Sequence, residues 1–456
     1  MKRSLQGFAA LCGGRLLGAD AGYAQVNTDT RQLQAGDLYL ALRGPRFDGN
    51  DFVAAAARAG AVAAVVERPD RDTNLPQIVV SDSQEALAAA AAGWRAQYPG
   101  VVLAVAGSNG KTTTKEMLAA ILARRGRCLS TRGNFNNHIG VPLTLLRLEV
   151  ADANAVIEIG ADRAGEVAAL AALVQPRIGL VTNAGAEHLE GFGDLDGVAR
   201  AEGELFVALP ADGVAVINAD DDYAGLWRGM TQAAIVTFGV SASADFRAVD
   251  IRESLGDAGF ELHFTLVAPT GRKAVQLNLG GRHNVMNALA AAAAACSAGA
   301  TLDDVAAGLA QLRPVQGRLQ PKRSHHGARL IDDSYNANPS SVRAGIDVIA
   351  GLGGPTWLVL GDMGELGPTA ETLHAEIGVY AREHGVDRLF ATGPLSRAAV
   401  ESFGRGAEWH PDVESLGRAV DAALDPHACV LVKGSRFNRL ERVVATLTGA
   451  AAPQGH

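Results

Sequence analysis

Three α/β domains, each built on a largely parallel sheet, are the architecture this sequence predicts, and three observations carry it. The chain has 456 residues, whereas one hydrophobic core usually organises about 150. Short apolar runs alternate with helix-length segments along the chain, the order that produces parallel strands joined by crossover helices. Punctuation falls at two places, "YPG" at 98–100 and "RPVQGR" from Arg313. The expected divisions are therefore residues 1–98, 99–313 and 314–456: a small N-terminal α/β unit, a larger central mixed sheet and a C-terminal Rossmann-like α/β unit.

In the first unit, "DLYLAL", "AVAAVVE" and "QIVV" read as strands between alanine-rich helical patterns. In the second, "VVLAVAG", "AVIEIG", "RIGLVTN" and "GVAVIN" read as strands buried on both faces. The segment "FELHFTLVAPTGRKAVQLNL" alternates around a Pro-Thr-Gly turn, which predicts a hairpin and makes that sheet mixed. The run "ALAAAAAACSAGA" falls short of the roughly 20 strongly apolar residues of a membrane span and favours a packed helix. In the third unit "RLIDDS", "TWLVLGD", "DRLFATG" and "ACVLVKGS" again alternate with helical stretches.

Apolar residues at 48% and charged residues at 20% are ordinary for a soluble globular protein. A net charge of −8 argues against broad adhesion to nucleic acid or anionic lipid. Cys12, Cys128, Cys296 and Cys429 form no CxxC pair, so neither a zinc cluster nor a disulfide framework is indicated, and a reducing cytoplasm fits. The N-terminus imitates a secretory signal, but Gly13, Gly14 and Arg15 interrupt its apolar core. The expectation is a soluble, cytoplasmic protein.

The chemistry begins in "LAVAGSNGKTTTKEML", from Leu103 to Leu118, where an apolar strand breaks into a glycine loop and resumes as a helix. Such an order aims backbone N–H groups and the helix's roughly half positive charge at one point, which suits a phosphate. The loop Gly107-Ser108-Asn109-Gly110-Lys111-Thr112-Thr113 is shorter than the Walker pattern, which would need glycine where Val105 stands. It keeps a flexible backbone, a cation and a hydroxyl, so the central unit is expected to be a P-loop mononucleotide-binding domain. Lys111 would face the β and γ phosphates and Thr112 would offer a ligand to Mg²⁺.

Glu158 closes the strand "AVIEIG". It either ends that strand in solvent or serves a metal, and the apolar neighbours favour a metal because an unpaired buried carboxylate is costly. His188 follows "RIGLVTNAGAE" at the carboxyl edge of the sheet, where ligands of open α/β folds gather. Asp220, Asp221 and Asp222 read as a solvated turn rather than a metal site.

Together "GSNGKTT", "GNFNNHIGVPLTLL", "GRHNVMNALAA", "QGR", "DDSYNANPSS" and "LGDMGELG" resemble the Mur ligases, ATP-dependent amide-forming enzymes of bacterial cell-wall synthesis. The segments "DDSYNANPSS" and "LGDMGELG" are similar to the branch that adds D-alanyl-D-alanine to UDP-N-acetylmuramoyl-tripeptide. The DNPR motif of the branch adding diaminopimelate or lysine is absent.

The resemblance implies a uridine-binding first domain, with Thr28, Asp29 and Arg31 of "NTDTR", Asn50 of "FDGND" and Asn137 of "GNFNNHIG" toward substrate. The first four also read as turn or cap formers. It implies ATP held by Gly107 to Thr113, with His283 and Asn284 near adenine, Arg318 approaching the phosphates and Asp333 on the ribose. Asn284 reads equally as a helix N-cap. Lys433, Ser435 and Arg436 of "VKGSR" would follow a strand, open a helix and face the cleft, or form a solvated basic turn. Two Mg²⁺ ions are implied, with Thr112, Glu158 and His188 as ligands and Lys111, Glu158, His188 and Glu202 as the catalytic group.

One departure stands out. Family members carry lysine in an A-K-x-E segment, carbamylated so that it helps hold the second Mg²⁺, whereas "VARAEGELF" places Glu202 there. Glu202 either replaces the carbamate electrostatically or is a surface helix residue. The implied reaction runs through an acyl phosphate in a monomer whose last domain closes about a hinge near Pro314, excluding water. Other readings are a folylpolyglutamate-type or other amino-acid-adding relative, and a P-loop switch or motor, for which no basic stripe or coiled coil is present.

Overall fold

A computed structural model of the chain describes residues 2–45, 47–256 and 259–450, in three principal sheets and one two-stranded ribbon. The first sheet runs Arg15–Leu17, Gln77–Val79, Ala63–Val66, Leu38–Leu40, Val26–Asn27 across its width. Its first pair is antiparallel and the others are parallel. The helix Leu5–Cys12 is capped by the Ser4 side chain and stopped by Gly13 at φ 67°. It buries Leu5 and Phe8, so the segment that imitates a secretory signal is part of the core.

The central sheet has nine strands, and Val101–Ala106 lies inside it, third from one edge, between parallel neighbours Asp152–Glu158 and Ile178–Val181. Beyond Asp152–Glu158 comes Arg127–Ser130; on the other flank follow Val214–Asn218, Ala234–Gly239 and Phe246–Gly256, all parallel. The expected hairpin, Gly259–Ala268 with Gly271–Leu277, extends this edge antiparallel. Val102, Ala104 and Ala106 face one core and Leu103 and Val105 another, which is why the strand reads as uninterruptedly apolar. The helix Arg282–Ser297 buries every alanine from Ala290 to Ala295, small side chains that let it pack in the same core as Leu118 and Ile121 of the helix Lys111–Leu122.

The first and central units share one core: Leu87 and Trp94 of the helix Ser83–Arg95 cluster with Val141, Leu145 and Leu148. Trp94 donates its indole N–H to the Leu148 carbonyl at 3.1 Å and Tyr98 its hydroxyl to the Asp152 carbonyl at 2.9 Å, so the polar tips of these buried rings are satisfied across the junction.

The third sheet has six strands, with Gln320–Arg323 antiparallel to Arg329–Asp333 and then Cys429–Lys433, Thr356–Gly361, Arg388–Thr392 and Ala407–His410 in parallel. Asp333 and Lys433 are register partners at the carboxyl ends of adjacent strands. One local expectation is corrected. The "VKGSR" segment opens only a three-residue 3₁₀ turn, Arg436–Asn438, ended by left-handed Arg439 at φ 54°, and the α-helix begins at Glu441. That turn is too short to carry a helix macrodipole. The aspartate run forms the expected turn with Asp220 and Asp222 exposed, and within it Asp221 accepts from the backbone N–H groups of Ala184 and Tyr223 and Asp220 from those of Val240 and Ser241. Among the described residues no helix is long and apolar enough to cross a membrane.

Candidate active site at the phosphate loop

Gly107 has φ 114° and Gly110 φ 82°, and a Cβ on either would lie 2.2 Å from a side-chain oxygen, of Thr182 and Asn287 respectively. Only glycine fits these positions. The loop is stapled to the end of the neighbouring strand: Ser108 N–H donates to the Asn183 carbonyl at 2.9 Å, Gly185 N–H to Ser108 Oγ at 2.8 Å and Asn109 N–H to Asn183 Oδ1 at 3.1 Å. Lys111, the first residue of the following helix, donates its ammonium to the carbonyls of Gly107 at 2.5 Å and Ser108 at 3.2 Å, and to Glu187 Oε1 at 3.2 Å. Burial works against its charge, but the carboxylates of Glu187, Glu202 and Glu158 outweigh burial and raise its pKa. Glu187 was not among the expected residues. Its one sequence signal is its place beside His188 in the same strand-end loop.

Glu158 is 1% exposed. Its Oε1 accepts from the Thr112 hydroxyl at 3.2 Å and from Asn136 Nδ2 at 2.8 Å, while Oε2 is buried without a hydrogen-bond partner. A buried carboxylate oxygen left unpaired is costly. With the Thr112 hydroxyl beside it, it forms a hard oxygen donor set that fits Mg²⁺. The wholly buried Lys115, also unanticipated, donates to the Thr131 carbonyl at 2.8 Å and to Glu116 at 2.6 Å. Thr131 Oγ1 in turn accepts the Glu158 N–H at 3.0 Å, so Lys115 anchors the segment leading to Asn136. Asn136 thus reaches Glu158, while Asn137 Oδ1 accepts from the N–H groups of Ile139 and Gly140 at the entry to the helix Gly140–Leu145.

His188 adopts left-handed φ 49° and its Nδ1 pairs with the carboxylate of Glu365 in the third unit. Of the three expected metal ligands, Thr112 and Glu158 are bonded to each other and His188 is paired with the third unit. Glu202 is 2% exposed, which rules out the surface-residue reading. Its Oε2 accepts the Gly107 N–H at 2.6 Å. Burial pushes its pKa up to about 7 against the opposing pull of Lys111.

A cavity of about 350 Å³ opens beside the loop. Its lining mixes apolar side chains, Phe238, Leu279, Met286 and Ala290, with polar ones, Asn109, Arg318, Asp333 and Lys433, the mixture expected of a nucleotide pocket. His283 and Asn284 line it. Burial lowers the His283 pKa to about 4, keeping the ring neutral. Asn284 is not the helix cap, which is Gly281; it donates to the Gly280 carbonyl at 2.6 Å and accepts from Asn287 at 3.0 Å.

The opposite wall comes from the third unit. Asp333 accepts from Leu319 N–H at 3.1 Å and from Lys433 Nζ at 2.5 Å. Arg318 lies 4.2 Å over the ring of Tyr335 with its Nε buried and unpartnered, and Arg436 lies 5.1 Å from the same ring. Ser435 Oγ accepts the Gly364 N–H at 2.9 Å, a link within that unit. Asn338 donates to Asn109 Oδ1 at 2.8 Å, and Asn109 donates to Ser340 Oγ at 3.0 Å. The third unit therefore docks directly on the phosphate loop.

In the first unit Asp29, next to Thr28, pairs with the exposed Arg31 at 2.8 Å, and Asn50 Oδ1 accepts from the N–H groups of Glu67 and Arg68. None of these residues lines the cavity.

A glycine loop that meets a second sheet domain across a nucleotide-sized cavity defines a nucleotide-dependent α/β enzyme. Family models narrow the class: the Mur ligase family catalytic domain matches residues 22–95, the Mur ligase middle domain 105–295 and the Mur ligase glutamate ligase domain 317–436. The chain belongs to the Mur ligase family. It is 45% identical over 437 residues to the UDP-N-acetylmuramoyl-tripeptide–D-alanyl-D-alanine ligase of Escherichia coli, covering 95% of this chain and 96% of that one. Among solved structures it is similar to MurF from Acinetobacter baumannii, with TM-score 0.90 and 34% identity over 98% of this chain and 99% of that one. MurF from Thermotoga maritima in complex with ADP gives TM-score 0.82 at 26% identity over 93% and 97%.

Proposed function

We propose that this chain joins D-alanyl-D-alanine to UDP-N-acetylmuramoyl-tripeptide, converting ATP to ADP and phosphate through an acyl phosphate. The observation that carries the reading is the docking of the phosphate loop, through Asn109, on Asn338 and Ser340 of "DDSYNANPSS". The segment that marks the D-alanyl-D-alanine-adding branch thus docks on the loop proposed to hold the phosphates. The divisions at 98/99 and 313/314 assign the uridine end to the first unit, with Thr28, Asp29, Arg31 and Asn50 in its binding loops, ATP to the second and the incoming dipeptide to the third.

The chemistry follows from charge. The tripeptide carboxylate and the γ-phosphate are both anions, and their approach needs fixed positive charge. Lys111 supplies it, kept protonated by Glu187 and Glu202 and held against the loop carbonyls. Thr112 and Glu158 would hold Mg²⁺, which when bound neutralises nucleotide phosphate charge. The neutral His283 and the apolar side chains of the cavity would receive the base, Asp333 the ribose and Arg318 the phosphates, with Lys433 toward the incoming substrate. Docking of the third unit shields the acyl phosphate from water. Four free thiols suit a reducing compartment, and we assign the chain to the cytoplasm as a monomer.

Purified protein given Mg²⁺-ATP, UDP-N-acetylmuramoyl-tripeptide and D-alanyl-D-alanine is expected to yield phosphate and a pentapeptide product of the summed mass less water. Omitting any one substrate should stop product formation; sustained ATP turnover without the dipeptide would point instead to a switch. Glu158→Gln is expected to raise the Mg²⁺ concentration for half-maximal activity by at least about tenfold, the scale of losses when a metal's surroundings are altered. An unchanged Mg²⁺ curve would remove Glu158 from the metal site.

A further inference from the structure

Away from the cleft, one side-chain cluster is arranged for a transition metal. His325 and His326 occupy the turn between the strands Gln320–Arg323 and Arg329–Asp333, and Asp421 stands on the helix Val413–Ala423. The turn is held in place by the His325 backbone N–H, which donates to the Leu447 carbonyl at 2.9 Å. The two Nε2 atoms lie 3.1 and 3.4 Å from the same oxygen, Asp421 Oδ1. That oxygen is nonetheless buried and accepts no hydrogen bond. Two imidazole nitrogens thus converge on a carboxylate oxygen without donating to it, the disposition of ligands that share a cation rather than a proton.

The dimensions agree. All three ligand atoms lie within 4.8 Å of one another. Zinc bonds to imidazole nitrogen and carboxylate oxygen of about 2.0–2.1 Å put tetrahedral ligands roughly 3.3 Å apart, and the two separations from Asp421 Oδ1 bracket that value. The side chains are partly exposed, at 37%, 45% and 29%, so an ion can enter from solvent. Two imidazoles with one carboxylate favour zinc and its transition-metal neighbours over Mg²⁺, which takes oxygen ligands.

We propose that His325, His326 and Asp421 form a divalent transition-metal site, of the Zn²⁺ class, that cross-links the first turn of the last sheet to the helix Val413–Ala423. Water completes the tetrahedron. None of the three residues lines the cleft, so the site acts on the stability of the last domain, adding to it as ligand binding to a folded state must.

The test uses full-length protein without nucleotide, titrated with Zn²⁺ alone against a chromogenic chelator and with Co²⁺ for visible absorption, beside His326→Ala and Asp421→Asn. The parent is expected to bind one Zn²⁺ per chain at this site, to show the intense band of tetrahedral Co²⁺ and to melt higher with Zn²⁺. Each variant should bind that ion at least about tenfold more weakly and lose the Co²⁺ band, while its metal-free melting temperature and Mg²⁺-ATP-dependent activity stay at parental values. Equal Zn²⁺ affinity in parent and both variants, or no tetrahedral Co²⁺ band in the parent, overturns the proposal.

Discussion

Lys111→Ala is expected to lower turnover about 10²- to 10³-fold, or roughly 3 to 4 kcal/mol, the usual loss when a preorganised charge-stabilising donor leaves an active site. The structure adds a second expectation. Lys111 is the cation among the carboxylates of Glu187, Glu202 and Glu158, two of which are almost wholly buried. Removing one partner of a buried ion pair typically costs about 3–5 kcal/mol, because the remaining charge has no compensation. The variant should therefore also melt lower, and kcat is to be compared at a temperature where circular dichroism shows both proteins folded. Parental kcat in a folded Lys111→Ala protein would remove the residue from phosphoryl transfer.

Glu202→Gln should make the protein more stable, and more so as pH rises. Burial lifts the Glu202 carboxyl from its ordinary 4.5 to about 7, so the folded state holds the proton more tightly than the unfolded one. A raised pKa contributes stability fully below the unfolded value, and that contribution is lost as pH climbs to the folded value. Glutamine imitates the protonated acid and can still accept the Gly107 N–H. Variant and parent should thus match near pH 4 and diverge between about 4.5 and 7, the variant ending on the order of 3 kcal/mol more stable. Denaturant titrations at several pH values read this directly. Parallel stability curves across that window would show that Glu202 is not a strained buried acid. The activity of the same variant separates two roles: unaltered activity and Mg²⁺ dependence would confine Glu202 to holding Gly107, and a shifted Mg²⁺ curve would support its standing in for the carbamate.

Much of the site was legible because its signals are local. Gly107, Gly110, Lys111 and Thr112 lie within one loop, and Glu158 betrays itself as a charge ending an apolar strand. Residues recruited over long separations left no such trace. Glu187 meets Lys111 across 76 positions and Asn136 meets Glu158 across 22, each on a different loop of the sheet. Lys115 looks like an ordinary helix lysine until the Thr131 carbonyl is seen beneath it. The cap reading of Asn284 failed because Gly281 starts the helix earlier, and the helix-opening reading of "VKGSR" because Arg439 turns left-handed. The alternation of strands and helices disclosed three sheets, but periodicity says only which face of the helix Ser83–Arg95 is apolar, not that the central sheet covers it.

That shared core bears on selectivity. Trp94 and Tyr98 tie the N-terminal unit to the central sheet through the carbonyls of Leu148 and Asp152. On the proposed placement of the uridine end in that unit, this tie would set the spacing between a bound uridine and a phosphoryl group at the glycine loop, like the two ends of a ruler. A precursor one amino acid too short would then leave its carboxylate before the reacting phosphorus, and one already extended would overshoot it.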